Sequence, residues 1–129
     1  MSQENVELVK SLYAAFFRRD MDFIRGHLAA DFEARQSTQV PWGGEFRGIE
    51  GLSEFFSKLA SHLDNRALPI DRYLDAGDHV VAIGRTQGFV RSNGKPFDVP
   101  LAHVWQIENG KAKSFRPFID NPTMLASLV

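Results

Sequence analysis

Along this chain the apolar positions switch between the period of a helix and that of a strand, and each switch marks a boundary. From Val6 through Val9, Leu12, Tyr13 and Phe16 to Phe17 they recur three and four residues apart, which places one broad apolar stripe on a helix. Ser2 stands where it can cap that helix, and Glu4 and Glu7 lie in its first turn, where the dipole favours negative charge. Arg18-Arg19 close it, and Asp20 reads as the cap of a short second helix carrying Met21, Ile24 and Leu28. From Phe32 to about Thr38 the pattern alternates, with Phe32, Ala34 and Gln36 on one side and Glu33 and Arg35 on the other, which predicts a strand. Val40-Pro41-Trp42-Gly43-Gly44 breaks helix and ladder alike and reads as a loop. After Phe46-Arg47-Gly48 the helical period returns. Ile49, Leu52, Phe55, Phe56, Leu59 and Leu63 share one side, opposite Glu50, Ser53, Glu54 and Lys58.

Beyond Asp64-Asn65 the chain takes on strand character. Leu68, Ile70 and Arg72 lead to a turn at Gly77-Asp78, and His79 to about Val90 follows. The apolar run from Val80 to Ile83 suggests burial on both faces and a central place in a sheet. Ser92-Asn93-Gly94-Lys95 reads as an Asn-Gly hairpin, and the chain returns from Phe97 to Ile107. Pro96 and Pro100 cannot donate to a ladder, which implies a bulge, an edge or a late start of pairing, and Pro117 carries the same implication. A second Asn-Gly turn, Glu108-Asn109-Gly110-Lys111, joins the two arms of the longest hairpin, Leu101 to Asp120. Asn121-Pro122 then opens a short terminal helix. The fold class predicted is α+β: about three N-terminal helices packed on one face of a curved, mostly antiparallel sheet, with a short C-terminal helix. The open end of such a cone is a natural ligand cavity.

Composition narrows the function classes. At 129 residues the chain fits a single domain, 1–129, with one core. No apolar run approaches the roughly 18 residues of a membrane span, and no signal segment is evident, so a cytoplasmic protein is expected. Cysteine is absent, which excludes disulfides and thiolate chemistry. Fifteen basic and sixteen acidic residues give a net charge of −1 without a basic block, so nucleic acid is not the expected partner. His27, His62, His79 and His103 lack metal-site spacing, and no nucleotide or Ser-centred motif occurs, so neither a metal nor a cofactor is expected.

The long hairpin carries the candidate chemistry. Alternation sets His103 and Trp105 on one face, and Arg116, Phe118 and Asp120 on one face of the other arm; a bulge at Pro100 or Pro117 would invert that parity. Inside an apolar cone the Asp120 carboxyl would be raised by desolvation and could shuttle protons; alternatively it stops the strand or caps the terminal helix. His103 could hold a substrate oxygen or act as a second acid or base, or be a satisfied core residue. Arg116 could orient an oxygen, or pair with Asp120 and depress it. Trp42 on its Gly-Gly loop could lid the cavity or anchor an interface. Tyr13, Phe16 and Phe56 are core positions that could also touch a ligand.

Four pieces carry a family resemblance: VKSLYAAFFRRDMDFIRGHLAADFE, PWGGEFRGIEGLSEFF, AGDHVVAIGR and LAHVWQIENGKAKSFRPFID. In order and spacing the chain resembles the SnoaL-like branch of the NTF2-like superfamily, the cone-shaped fold that includes ketosteroid isomerase and limonene epoxide hydrolase. The resemblance does not extend to the isomerase's residues. Its general base would fall at Val40, and its oxyanion-hole aspartate and tyrosine at Ala102 and Leu12, with Tyr13 one residue off. Of the epoxide hydrolase's Asp-Arg-Asp set only the strand-end aspartate has a counterpart, Asp120. SnoaL-type cyclases use an acid/base aspartate at that place, so the resemblance implies Asp120 as proton shuttle for isomerase, cyclase, dehydratase or hydrolase chemistry without a cofactor. The expected ligand is a small apolar or aromatic molecule, and the expected assembly a homodimer through the sheet. Two further roles fit the same fold: non-catalytic small-molecule binding, and a protein-interaction module.

Overall fold

A computed structural model describes residues 2–129, in which four helices lie against one curled sheet. The first two helices, α1 (Ser2–Phe17) and α2 (Met21–Gly26), form the expected hairpin, and Asp20 caps α2 by accepting from Phe23 N at 3.0 Å. The Ser2 cap lies outside the residues whose side chains are described. Next come β1 (Leu28–Gln36), β2 (Gly44–Arg47), α3 (Gly48–His62), β3 (Leu63–Ala67) and β4 (Ile70–Ala76). The second half is β5 (His79–Val90), β6 (Pro96–Glu108), β7 (Lys111–Ile119) and α4 (Asn121–Ser127). No described helix is long and apolar enough to cross a membrane.

The strand order is β2-β1-β7-β6-β5-β3, and β4 also pairs with β5. Only β1 and β7 run parallel; every other pair is antiparallel. The central place expected for β5 is borne out, since β6 flanks it on one edge while β4 and then β3 share the other. Its apolar run is not buried on both faces, however. Val80 and Ala82 are fully buried and Val81 and Ile83 half-buried, because the helices cover one face of the sheet only. Helix α1 packs on β4 and β5, α3 on β1, β2 and β3, and α4 on β6. Between these layers Val9, Phe32, Trp42, Leu63, Val99 and Met124 are all but inaccessible, each large apolar side chain contributing roughly 1.5–3 kcal/mol by its burial.

Two short strands were invisible in the pattern. Leu63, expected at the end of α3, instead begins β3, whose Asp64, Asn65 and Arg66 give no apolar alternation, and β2 buries only Phe46. The long hairpin turns as expected, with Asn109 at φ 54° and Gly110 at φ 74°. The other Asn-Gly site makes a wider loop, closed by Gly94 N to Val90 O and Val90 N to Lys95 O. The prolines do not bulge their strands. Pro100 and Pro117 stay in register, and the one shift between β6 and β7 falls between Gln106 and Ile107. Pro100 is tolerated because its carbonyl takes Asp120 N at the end of β7, so its missing N–H falls where that ladder stops.

Candidate functional site

The cavity, of about 110 Å³, lies between α1, α3, α4 and the concave face of the sheet; a single water needs roughly 10–15 Å³ measured the same way. Its walls are largely aromatic and aliphatic: Phe16 of α1, Phe55 and Phe56 of α3, and Phe115 of β7 all line it. Among the lining residues Phe17 is the exposed one, at 43%, and Phe16, whose ring packs on it, is half-buried. The opening therefore lies at the C-terminal end of α1. Elsewhere in the lining Thr86 donates to Asn65 Oδ1 at 3.2 Å.

Deeper in, three side chains form a polar cluster. Trp105 Nε1 donates to the Tyr13 phenol oxygen at 3.0 Å, and that oxygen lies 2.8 Å from His103 Nδ1. Burial without a charged neighbour pushes the His103 pKa down from 6.5 to about 3, so the ring is neutral at physiological pH. Burial likewise pushes the Tyr13 phenol far above its ordinary value, so it keeps its proton. The hydrogen-bond inventory then assigns the tautomer. Indole N–H can only donate, so the phenol oxygen accepts from Trp105, and the phenol hydrogen has His103 Nδ1 as its partner. The imidazole proton is left on Nε2, which has no partner among the described residues. Phe115 packs edge-on to His103, with centroids 4.9 Å apart, and fixes the ring. What the cluster offers chemically is one N–H donor in an apolar chamber.

Tyr13, Phe16, Trp42, Phe56, His103 and Trp105 of the residues singled out in the sequence come together on this cavity. Trp42 is neither a lid nor an exposed anchor: it is 1% accessible, with its ring centroid 5.8 Å from that of His62. Its loop is pinned. Asn121 Nδ2 donates to Gln39 Oε1 at 3.0 Å, and a Cβ on Gly43 would collide with the Ser37 carbonyl, so glycine there serves close approach and not motion.

Arg116, Phe118 and Asp120 are not brought to the cavity. With no bulge at Pro117, the pleat turns Phe115, Pro117 and Ile119 inward, leaving Arg116, Phe118 and Asp120 exposed on the other side. Asp120 caps α4, its carboxylate accepting from Thr123 N at 3.2 Å. The proton shuttle expected of it needs a carboxyl in the cavity, and among the described residues no carboxylate lines it. Nor do the described residues contain a cluster able to hold a metal ion.

The sequence reading missed Gln36. It is 5% accessible, lines the cavity, and leaves its Nε2 without a hydrogen-bond partner. The signal was there: Gln36 continues the face of Phe32 and Ala34, a polar residue on an apolar row.

Comparison with known proteins agrees with this architecture. The family model of the SnoaL-like domain matches residues 9–115. An NTF2-like protein of Burkholderia thailandensis E264 is 29% identical, with 96% of each chain covered and a TM-score of 0.87. An NTF2-like protein of unknown function from Burkholderia pseudomallei K96243 is 27% identical, covering 100% of this chain and 99% of its own, with a TM-score of 0.89. TerC, co-crystallised with polyporic acid, is 25% identical over 97% of this chain and 98% of its own, with a TM-score of 0.85. No curated protein matches.

Proposed function

This chain belongs to the SnoaL-like domain family, and from that premise we propose that it binds a small, mostly aromatic molecule whose oxygen accepts a hydrogen bond from His103. The observation that carries this reading is the Tyr13–His103–Trp105 cluster, which leaves the neutral His103 Nε2 donor unpaired in a largely apolar chamber. Sites of this kind take affinity from apolar burial and orientation from a few placed polar groups. That TerC was co-crystallised with polyporic acid supports a small organic ligand for this fold.

Binding is favoured over proton transfer because the two titratable groups in the cavity are both held neutral by burial. An imidazole with a pKa near 3 is too weak a base to take a proton from carbon at neutral pH. If the protein does catalyse, the same Nε2–H supports polarisation of a carbonyl by a neutral donor, a role distinct from the Asp120 shuttle.

The test uses the protein's own tryptophans, since both Trp42 and Trp105 line the cavity. Polyporic acid, naphthalene and its one-ketone relative 1-tetralone are titrated against intrinsic fluorescence. Tetralone is expected to bind about three- to tenfold more tightly than naphthalene, the yield of one hydrogen bond. Tyr13→Phe, which frees the His103 tautomer, should narrow that gap. Equal affinities for the two hydrocarbon skeletons, or no response to any of the three, would overturn the reading.

A further inference from the structure

We propose that the edge of the molecule at the cavity mouth docks on an anionic lipid bilayer, with the rings of Phe17 and Phe89 entering the headgroup layer and the arginines beside them meeting phosphate. The inference goes beyond ligand binding, and its test needs no ligand.

Two phenyl rings are left uncovered here. Phe17 ends α1 and is 43% exposed, and Phe89, near the end of β5, is 45% exposed. Each stands beside guanidinium groups. Arg18 and Arg19 follow Phe17 directly, and the Arg66 guanidinium lies over the Phe89 ring, 5.6 Å from its centroid. Asp64 ties the two groups together. It pairs with Phe89 across β3 and β5, and it holds Arg66 in an ion pair at 2.8 Å. The Arg66 hydrogen bond outweighs desolvation and holds the Asp64 carboxyl below its ordinary value, and the charges of Arg66, Arg91 and Arg19 act in the same direction. Three guanidiniums thus surround one carboxylate. Arg91 is fixed at this corner by its backbone N–H, which donates to His62 O at 2.9 Å where α3 gives way to β3.

The charges of this edge do not cancel. Arg18 pairs with Asp20 at 3.0 Å and Arg66 with Asp64, whereas Arg19 and Arg91, both exposed, form no ion pair among the described residues. Two positive charges are left over, on a chain whose net charge is −1. That excess complements an anionic surface, where each arginine or lysine tightens binding about fivefold. The rings favour lipid over an acidic protein as the source of that charge. A phenyl ring flanked by guanidinium suits the headgroup layer, where the ring buries beneath the phosphates that the cation meets. The cavity opens at Phe17 on the same edge, so an apolar molecule dissolved in the bilayer could enter without crossing water. No described helix crosses a membrane, and docking of this kind needs none, since it draws on shallow apolar burial and charge.

The experiment sediments the full chain with vesicles of phosphatidylcholine alone and of phosphatidylcholine mixed with phosphatidylglycerol. Binding is expected on the mixed vesicles only. It should fade as ionic strength rises from about 0.01 to about 1 M, which shortens the screening length from roughly 30 to 3 Å. Arg19→Gln and Arg91→Gln should each weaken binding about fivefold, while Arg19→Lys, which keeps the charge, should not. Phe17→Ser and Phe89→Ser should each weaken it about tenfold. Arg116→Gln and Phe118→Ser take a cation and an exposed ring from the sheet's outer face, and should leave binding unchanged. Melting curves verify the fold of every variant. Failure to sediment with the anionic vesicles at low salt overturns the docking surface, as does equal binding to both kinds of vesicle. Binding that survives in all the folded Phe17, Arg19, Phe89 and Arg91 variants, or that is lost only in the Arg116 and Phe118 variants, overturns it as well.

Discussion

The two faces of the β6–β7 hairpin are made from adjacent residues, yet they hold opposite chemistry. Inward stand His103, Trp105, Phe115 and Pro117, all buried, with polar atoms that are neutral and largely paired with one another. Outward stand Arg116 and Phe118, and the same row continues into Asp120 at the α4 cap. The residues that look most reactive on paper, a carboxylate and a guanidinium, lie on the wet side, where their charges keep their hydration. The groups admitted to the cavity are those that can shed or retain a proton and stay neutral, because a dry chamber penalises any unpaired charge. Here chemistry follows parity along the strand.

The contrast is broken most forcefully by removing the same side chain from each face. Phe115→Ala, at a site 7% accessible, should cost about 3–5 kcal/mol in denaturant unfolding, whereas Phe118→Ala, at 55% exposure, should stay within about 0.5 kcal/mol. Comparable losses at the two sites would mean that the outer face is covered.

Acid should sharpen it next. The folded pKa of His103, near 3, lies below its unfolded value of 6.5. Below pH 6.5 the unfolded chain therefore takes up a proton that the native chain refuses, and stability falls with pH, at up to about 1.4 kcal/mol per unit. The stability is fully present above pH 6.5 and is lost as pH falls towards 3. The carboxylates held low by hydrogen bonds and ion pairs, Asp20, Asp31, Asp64 and Asp98, titrate below 3.8, so the interval from pH 6.5 to 4.5 isolates the imidazole from them. His103→Gln should flatten the unfolding free energy across that interval, and an unchanged slope would show that the imidazole is not buried neutral.

Tyr13→Phe is a smaller perturbation, one oxygen, but it strips the partner from both Trp105 Nε1 and His103 Nδ1. The expected loss is about 1–3 kcal/mol in thermal or denaturant unfolding, and a neutral result would place water where the phenol now stands. Smallest is the outer row's last member. Asp120→Ala should cost about 1 kcal/mol by losing the α4 cap, and Asp120→Asn less, since asparagine caps as well; neither should alter ligand affinity in the fluorescence titration. A loss of affinity in Asp120→Asn would return the carboxylate to the site.

Much of the fold was legible because it rests on local rules. Apolar spacing exposed α1 and α3, Asp20 and Asn121-Pro122 marked helix starts, and Asn109-Gly110 marked the turn whose positive φ angles the structure shows. β2 and β3 escaped because each buries little on its own and is held by pairing with another strand, β2 with its neighbour β1 and β3 with the more distant β5. At the site, aromatic lining residues such as Tyr13, Phe16 and Trp105 were legible as apolar positions at the right period. Gln36 was legible only as an exception to its row.

What the sequence by itself determined is which residues share a face: alternation tied His103 to Trp105, and Arg116 to Phe118 and Asp120, and both groupings hold. Which of those faces turns toward the helices was decided by the tertiary structure. Pleat parity is a local property, fixed by the backbone's two-residue repeat, whereas inside and outside depend on where the sheet curls and whether a proline shifts the register. Pro117 does not shift it, since the β6–β7 register runs without a break from Leu101↔Ile119 through His103↔Pro117 to Gln106↔Ser114. That register places Asp120 at a helix cap and leaves His103 and Gln36 lining the cavity.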